Sequence, residues 1–210
     1  MSQKIMNGSS VERLLTAFRD GDPAAPEVLL CRYQPWLQLL ARMQMDSQFQ
    51  GKFSHSDVVQ QTLLEAWRDL PQFRGGTEGE LLAWLRQILA HVLAHEIRRY
   101  RGTQQRKLSC EVSMEAALAD SSRRLGDFLA ASGSSPSQQA ERHEQEVRLA
   151  DALATLPEDY QQVIILRNLE GLSHEETAAR MQRSVGATRM LWVRALTRIK
   201  AAFAGPPAAS

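Results

Sequence analysis

Apolar residues recur at three- and four-residue spacing along almost the whole chain, and no stretch alternates strictly between apolar and polar positions. That pattern predicts helices throughout. One helix is expected over Ser56–Leu70, opened by a Ser/Asp cap, with Val59, Leu63, Ala66 and Leu70 as its core stripe and Trp67 at the edge. A second is expected over Glu80–Tyr100, burying Leu81, Leu85, Ile88, Leu89 and Val92. Further on, Leu153, Leu156, Val163, Ile164, Leu166 and Leu169 predict an amphipathic helix that stops at Gly171, a residue suited to the left-handed helix end. Ser173 and Glu176 then have capping-box spacing and open a short helix. After the turn Gln182-Arg183-Ser184 comes a longer helix from Val185 to Phe203. Its inward side is Val185, Thr188, Trp192, Ala195, Leu196, Ile199 and Phe203. A short helix, a tight turn and a longer basic helix describe a helix-turn-helix.

Composition changes once along the 210 residues. Between 108 and 139 serine, glycine and proline accumulate, ending in LAASGSSPSQQ, a flexible-linker composition that leaves room for only a short helix before it. The fold expected is therefore all-α: two small helical domains, 11–107 and 140–203, joined by a Ser-rich tether over 108–139.

Net charge is only +1, yet its distribution is uneven. Leu82–Lys107 carries six basic residues against one acid, and Ala178–Ser210 carries six against none. Glu141–Glu176 balances them with nine acids against three bases. A basic patch in each domain fits two separate contacts with a phosphate backbone. No apolar run is long enough to span a membrane and the start lacks the apolar core of a signal peptide, so a cytoplasmic protein is expected. Cys31 and Cys110 sit in no metal-ligand or redox spacing and read as buried bystanders in a reducing compartment.

Three faces carry candidate chemistry. On the last helix, Gly186, Ala187, Met190, Arg194, Thr197 and Arg198 lie opposite the core, with Arg189 and Lys200 to the side. Arg194 is placed to reach base edges in a major groove and Arg189 to reach phosphate. On the Glu80–Tyr100 helix, Gln87, His91, His95, Arg98, Arg99 and Arg101 share the outer face, with Trp84 near its start, and Phe73-Arg74-Gly75-Gly76 precedes it as a Gly-rich, mobile loop. Hydrogen-bonding groups merging into arginines suit the bases and backbone of a single strand. On the Ser56–Leu70 helix, Leu64 is apolar amid Gln60, Gln61 and Arg68, as a partner-helix site would be. His91 and His95 have metal-ligand spacing but HVLAHE lacks the acidic or third histidine ligand, so no metal and no cofactor are expected. No phosphate loop, nucleophile elbow or acid/base carboxylate pair is present, and an enzyme is not expected.

SDVVQQTLLEAW…FRGG…LLAWLRQILAHVLAHEIRRYR resembles region 2 of bacterial sigma-70 family factors, and LADALATLPEDYQQVIILRNLEGLSHEETAARMQRSVGATRMLWVRALTRI resembles their region 4. The Ser-rich tether is similar to the short linker of the extracytoplasmic-function (ECF) subfamily. The resemblance implies an RNA polymerase sigma factor that binds core polymerase and selects promoters. It places Asp57, Gln60, Gln61 and Leu64 on the β′ clamp helices. It assigns capture of the −10 element to Phe73, Arg74, Trp84, Gln87, His91, His95, Arg98 and Arg99. It assigns the −35 element to Arg183, Ser184, Ala187, Arg189, Met190 and Arg194, with region 4 also on the β flap. His91 and Met190-Leu191 depart from the family's usual residues, which bears on promoter preference. An anti-sigma factor is common in the family, and nothing in the sequence names one. A plain helix-turn-helix regulator and a metal-dependent hydrolase using His91 and His95 are the competing readings.

Overall fold

A computed structural model describes residues 10–45, 54–101, 107–131 and 139–204. All its regular elements are helical. They are α1 (Ser10–Arg19), α2 (Ala25–Gln44), α3 (His55–Asp69), α4 (Glu78–Arg101), α5 (Lys107–Ala131), α6 (Gln139–Ala154), α7 (Glu158–Ile164), α8 (His174–Arg180) and α9 (Val185–Ala204). The chain divides into two compact units, Met1–Asp120 and Ser121–Ser210.

In the first unit α1 packs on α2, α2 on α3 and α3 on α4. α2 enters with Pro26 in its first turn, where a missing N–H costs nothing. It supplies the centre of the core, with Leu29, Tyr33, Trp36, Leu37 and Leu40 fully buried. The Tyr33 hydroxyl donates to Glu78 Oε1 at 2.8 Å, tying α2 to the start of α4. Burial first, and then the Glu78 carboxylate, push the phenol well above its ordinary range. Against α2 lie Val58, Val59, Thr62 and Ala66 of α3 and Leu81, Leu82, Leu85, Leu89 and Leu93 of α4. The stripe of α3 thus runs through Thr62, whose hydroxyl donates to the Val58 carbonyl; Leu63 and Ile88, expected inside, are half-buried.

Helix starts in this unit differ from expectation by a residue or two. α3 is capped by Ser54, not Ser56: the Asp57 N–H donates to Ser54 Oγ at 3.0 Å and the Ser54 N–H to Asp57 Oδ2 at 3.4 Å. The run Ser-His-Ser-Asp offers two caps, and the reciprocal pair at Ser54 and Asp57 satisfies two orphan amides where Ser56 would satisfy one. α4 begins at Glu78 because Thr77 and Glu80 form a second such box, with the Glu80 N–H donating to Thr77 Oγ1 and the Thr77 N–H to Glu80 Oε2.

The serine-rich segment expected to be a tether with a short helix is one long helix, α5, as far as Ala131; residues 132–138 lie outside the described residues. Its apolar positions explain the difference. Leu118 is buried in the first unit; Ser121, Ser122 and Leu125 are buried in the second. These recur at helical spacing, so two of the serines that suggested slackness are interior helix residues. Ser122 Oγ donates to Glu146 Oε2 at 3.2 Å, and Arg124 donates to the Leu169 carbonyl at 3.1 Å.

The second unit buries Val147, Leu149, Ala150 and Leu153 from α6, Val163 and Ile164 from α7, and Thr188, Ala195 and Ile199 from α9. The single helix expected through Leu153 and Leu169 is broken at Pro157, which caps α7, and ends in a π turn over Ile165–Leu169. Gly171 has φ +76°, the left-handed stop its position predicts. Ser173 and Glu176 make the expected capping box, and Ser184 Oγ accepts from the Ala187 N–H at the start of α9. Between α8 and α9, Gln182 takes φ +54°, and the Arg183 N–H donates back to the Ala178 carbonyl, a Schellman ending built without glycine.

Donors at the helix starts hold the Glu80 and Glu176 carboxylates below the ordinary range: the backbone N–H of Gly76 chiefly for Glu80, that of Ser173 for Glu176. What these caps add to stability is therefore present at neutral pH and lost as pH falls below that range. Replacing the true cap of α3 separates the two serines. Ser54→Ala is expected to cost about 1 kcal/mol in denaturant unfolding, and Ser56→Ala less than half of that.

Candidate nucleic-acid interface and helix-docking face

The residues proposed for docking all point outward from α3. Asp57, Gln60, Gln61 and Leu64 are exposed, Leu64 at 65%. Asp57 is also half of the cap that fixes where the helix begins. Trp67, expected at the edge of the core, is instead 50% exposed, one turn beyond Leu64. The two make an apolar ridge beside Gln60 and Gln61. Leu64 is expected on this face; the i, i+3 spacing that adds Trp67 to it is the signal passed over in setting Trp67 at the edge of the core.

The loop before α4, expected to be mobile, is held at each residue. Phe73 leans on Trp84 with ring centroids 4.9 Å apart. Arg74 folds back, its guanidinium donating to the Pro71 carbonyl at 2.9 Å. Arg19 donates to the Gly75 carbonyl. The Gly76 and Thr77 N–H groups both donate to Glu80 Oε2. A Cβ on Gly75 would overlap the Phe73 ring and press on Glu80 Cβ, whereas Gly76 stands in open space. Gly75 is there for close approach rather than for slack.

Along α4, Gln87, His91, His95 and Arg99 are exposed. Arg98 is not: its side chain is 15% exposed, and Nη1 lies 3.2 Å from Glu111 Oε1 of α5. The same carboxylate is 3.6 Å from His91 Nδ1, and Gln87 donates to Glu115 Oε1 at 3.3 Å. His95 and Arg99 face Glu96 of their own helix. The outer face of α4 thus turns out Gln87, His91, His95 and Arg99 and leaves Arg98 covered; the side chain of Arg101 lies outside those described. No group of three His, Cys, Asp or Glu placed to hold a metal ion occurs among the described residues. Cys31, expected to be buried, is on the surface of α2; the side chain of Cys110 lies outside those described.

In the second unit α8, the turn and α9 hold the remaining candidates. Ser184, Ala187, Arg189, Met190 and Arg194 are exposed on α9 and at its cap, Met190 at 55%. α9 is set at fixed rotation by Trp192, whose indole N–H donates to Asn168 Oδ1 at 2.9 Å while its ring meets His174 edge to face. Burial chiefly, then Arg167 and Arg189, push the His174 imidazole below its ordinary range. Two of the arginines are paired: Arg183 with Asp159 at 2.5 Å and Arg189 with Glu175 at 3.4 Å. Arg198 lies over the Tyr160 ring, 5.0 Å from its centroid. Arg194 makes no ion pair among the described residues, so its guanidinium is available without breaking anything. Val193 adds an exposed apolar residue that the helical wheel did not single out.

Residues 29–103, which contain the α3 and α4 candidates, match the family model Sigma-70 region 2; residues 146–199, which contain the α8–α9 candidates, match Sigma-70, region 4. The chain is 30% identical over 194 residues to the RNA polymerase sigma-H factor of Pseudomonas aeruginosa, covering 91% of this chain and 93% of that protein. It is 30% identical over 203 residues to the ECF RNA polymerase sigma-E factor of Haemophilus influenzae, covering 95% and 96%. A solved structure of the sigma factor RpoE with the anti-sigma factor NepR from Bartonella quintana aligns at 22% identity over 85% of this chain and 96% of that one, with a TM-score of 0.32. No described helix is long and apolar enough to cross a membrane.

The two glycines before α4 test how tightly its loop is held. Gly75→Ala is expected to cost about 1–3 kcal/mol of unfolding free energy through overpacking under Phe73, and Gly76→Ala within about 0.5 kcal/mol of nothing, in paired denaturation curves.

Proposed function

The chain belongs to the sigma-70 family of RNA polymerase sigma factors, within its ECF branch, and on that footing we propose how its surfaces divide the work of transcription initiation. The exposed ridge of α3, with Asp57, Gln60, Gln61, Leu64 and Trp67, docks on the helical coiled coil of the β′ clamp of core polymerase. The loop from Phe73 to Trp84 and the α4 face of Gln87, His91, His95, Arg98 and Arg99 take the unpaired strand of the −10 element. α9 enters the major groove of the −35 element, and its unit also rests on the β flap. Residues 11–107 and 140–203 form the two functional domains, with α5 spanning most of the stretch between. The chain works in the cytoplasm, where polymerase and chromosome meet. Polymerase carries out the chemistry; this chain supplies recognition and strand capture, and no catalytic group of its own is involved.

The observation that carries this reading is the outer face of α9. A buried Thr188, Ala195 and Ile199 and the Trp192–Asn168 bond fix which side of the helix is turned out. That side holds Arg194, which makes no ion pair among the described residues, beside the small Ala187 and the exposed Met190. An arginine can make a bidentate contact with guanine, and an apolar side chain next to it suits a thymine methyl. Arg183 and Arg189 exchange their carboxylate partners for phosphate, because exposed pairs of this kind hold by less than about 1 kcal/mol. A protein covering the α3 ridge would compete with polymerase directly, which is the simplest way for an anti-sigma factor to hold the chain inactive.

Arg194→Ala in the reconstituted holoenzyme is expected to cost about 1–3 kcal/mol of promoter affinity and to relax preference at one base pair. Arg189→Ala should weaken binding across all sequences and flatten its salt dependence. If Arg194→Ala binds as wild type does, α9 is not read at that position. On the other unit, Leu64→Lys should lower affinity for core polymerase about tenfold or more while leaving the melting curve unchanged.

A further inference from the structure

The polar contacts between α4 and α5 run in antiparallel register: Arg98 and His91 meet Glu111, and Gln87, further back along α4, meets Glu115, further on along α5. Glu111 and Glu115 are one helical turn apart, so both carboxylates leave α5 on one edge and lie on the outer face of α4. Resting on the reading of that face as the −10 site, we propose that the first half of α5 is an autoinhibitory cover whose carboxylates occupy the places of a nucleic-acid backbone and must leave before a strand is captured.

Geometry and burial support a cover over a structural brace. A carboxylate oxygen 3.2 Å from a guanidinium stands where a phosphate oxygen would. The side chains of Arg98 and Glu111 are 15% and 27% exposed, so the pair is partly withdrawn from water and a strand cannot reach Arg98 without displacing Glu111. The cover itself is lightly anchored. Of residues 111–120 only Leu118 is buried, and Val112, Ser113, Glu115, Ala116 and Ala119 are exposed. A hydrogen bond from Gln44 to the Ala117 carbonyl at 3.3 Å adds to that hold. A segment with so little buried apolar surface opens at low cost compared with the core beneath it. Its acids also fall between the two stretches that match the family models, at 29–103 and 146–199.

The free chain then exists largely in a covered form, and its apparent affinity for a strand is reduced by the fraction that is open. Binding of a fluorescein-labelled, mixed-sequence single-stranded DNA to the full chain, followed by anisotropy at moderate salt, reads this fraction. The double variant Glu111→Gln with Glu115→Gln is expected to bind about tenfold tighter than wild type. Glu111→Gln alone should give most of that gain, because Glu111 faces a cation and Glu115 a neutral amide. Leu118→Ala, which loosens the anchor without changing charge, should tighten binding too. Arg98→Ala should abolish the gain. Unchanged or weaker binding by the Glu111 variants, with Arg98→Ala still impairing wild type, would overturn the cover: Glu111 would then hold Arg98 in position for DNA. If Arg98→Ala alters nothing in either background, the −10 reading of the α4 face fails, and the cover with it.

Discussion

A chain with 25 basic and 24 acidic residues must sort its charge before it can hold a polyanion. Both units do so by pairing. Arg183, in the turn before α9, meets Asp159 of α7, Arg189 of α9 meets Glu175 of α8, and Arg98 of α4 meets Glu111 of α5. In the proposed reading such pairs keep a near-neutral molecule from clinging to any nucleic acid, because a phosphate contact at these three arginines must first displace a carboxylate. They differ in depth. The two pairs beside α9 are well exposed and yield easily, while Arg98 is mostly covered. Against that background Arg194 and Arg198, on the outer face of α9, make no ion pair among the described residues, and Arg198 lies over the Tyr160 ring.

Helix starts set where these side chains point. α3, α4 and α8 each open on a reciprocal box, Ser54 with Asp57, Thr77 with Glu80, and Ser173 with Glu176. A box fixes the first turn, and the first turn fixes the rotation of every later residue about the axis. In α3 that rotation turns Leu64 and Trp67 outward and Thr62 inward; in α4 it brings Trp84 under Phe73. The glycine at 75 completes the arrangement by letting the ring of Phe73 close over the backbone.

Local chemistry was legible in the sequence where one residue type decides one geometry. Gly171 takes its left-handed turn, Ser173 and Ser184 cap, and the outer face of α9 is the one its apolar spacing leaves free. Composition misled where it stood in for spacing. Serines at 121 and 122 lowered the apparent helix signal, although Leu118, Ser121, Ser122 and Leu125 share one side of α5. Ser54 lost to Ser56 because both can cap and only the partner at Asp57 separates them. The covering of Arg98 had no local signal. It depends on a contact between α4 and α5 that brings together residues 98 and 111, and Glu111 lay in a segment read as tether.

The most direct test is a permanganate and nuclease footprint of the complex formed by this chain, core polymerase and a promoter that it transcribes. Two protected segments, with unpaired thymines reactive only at the downstream one, are the result expected if one unit captures a strand and the other reads duplex. Protection confined to a single duplex segment, with no reactive thymines, would contradict that division of labour.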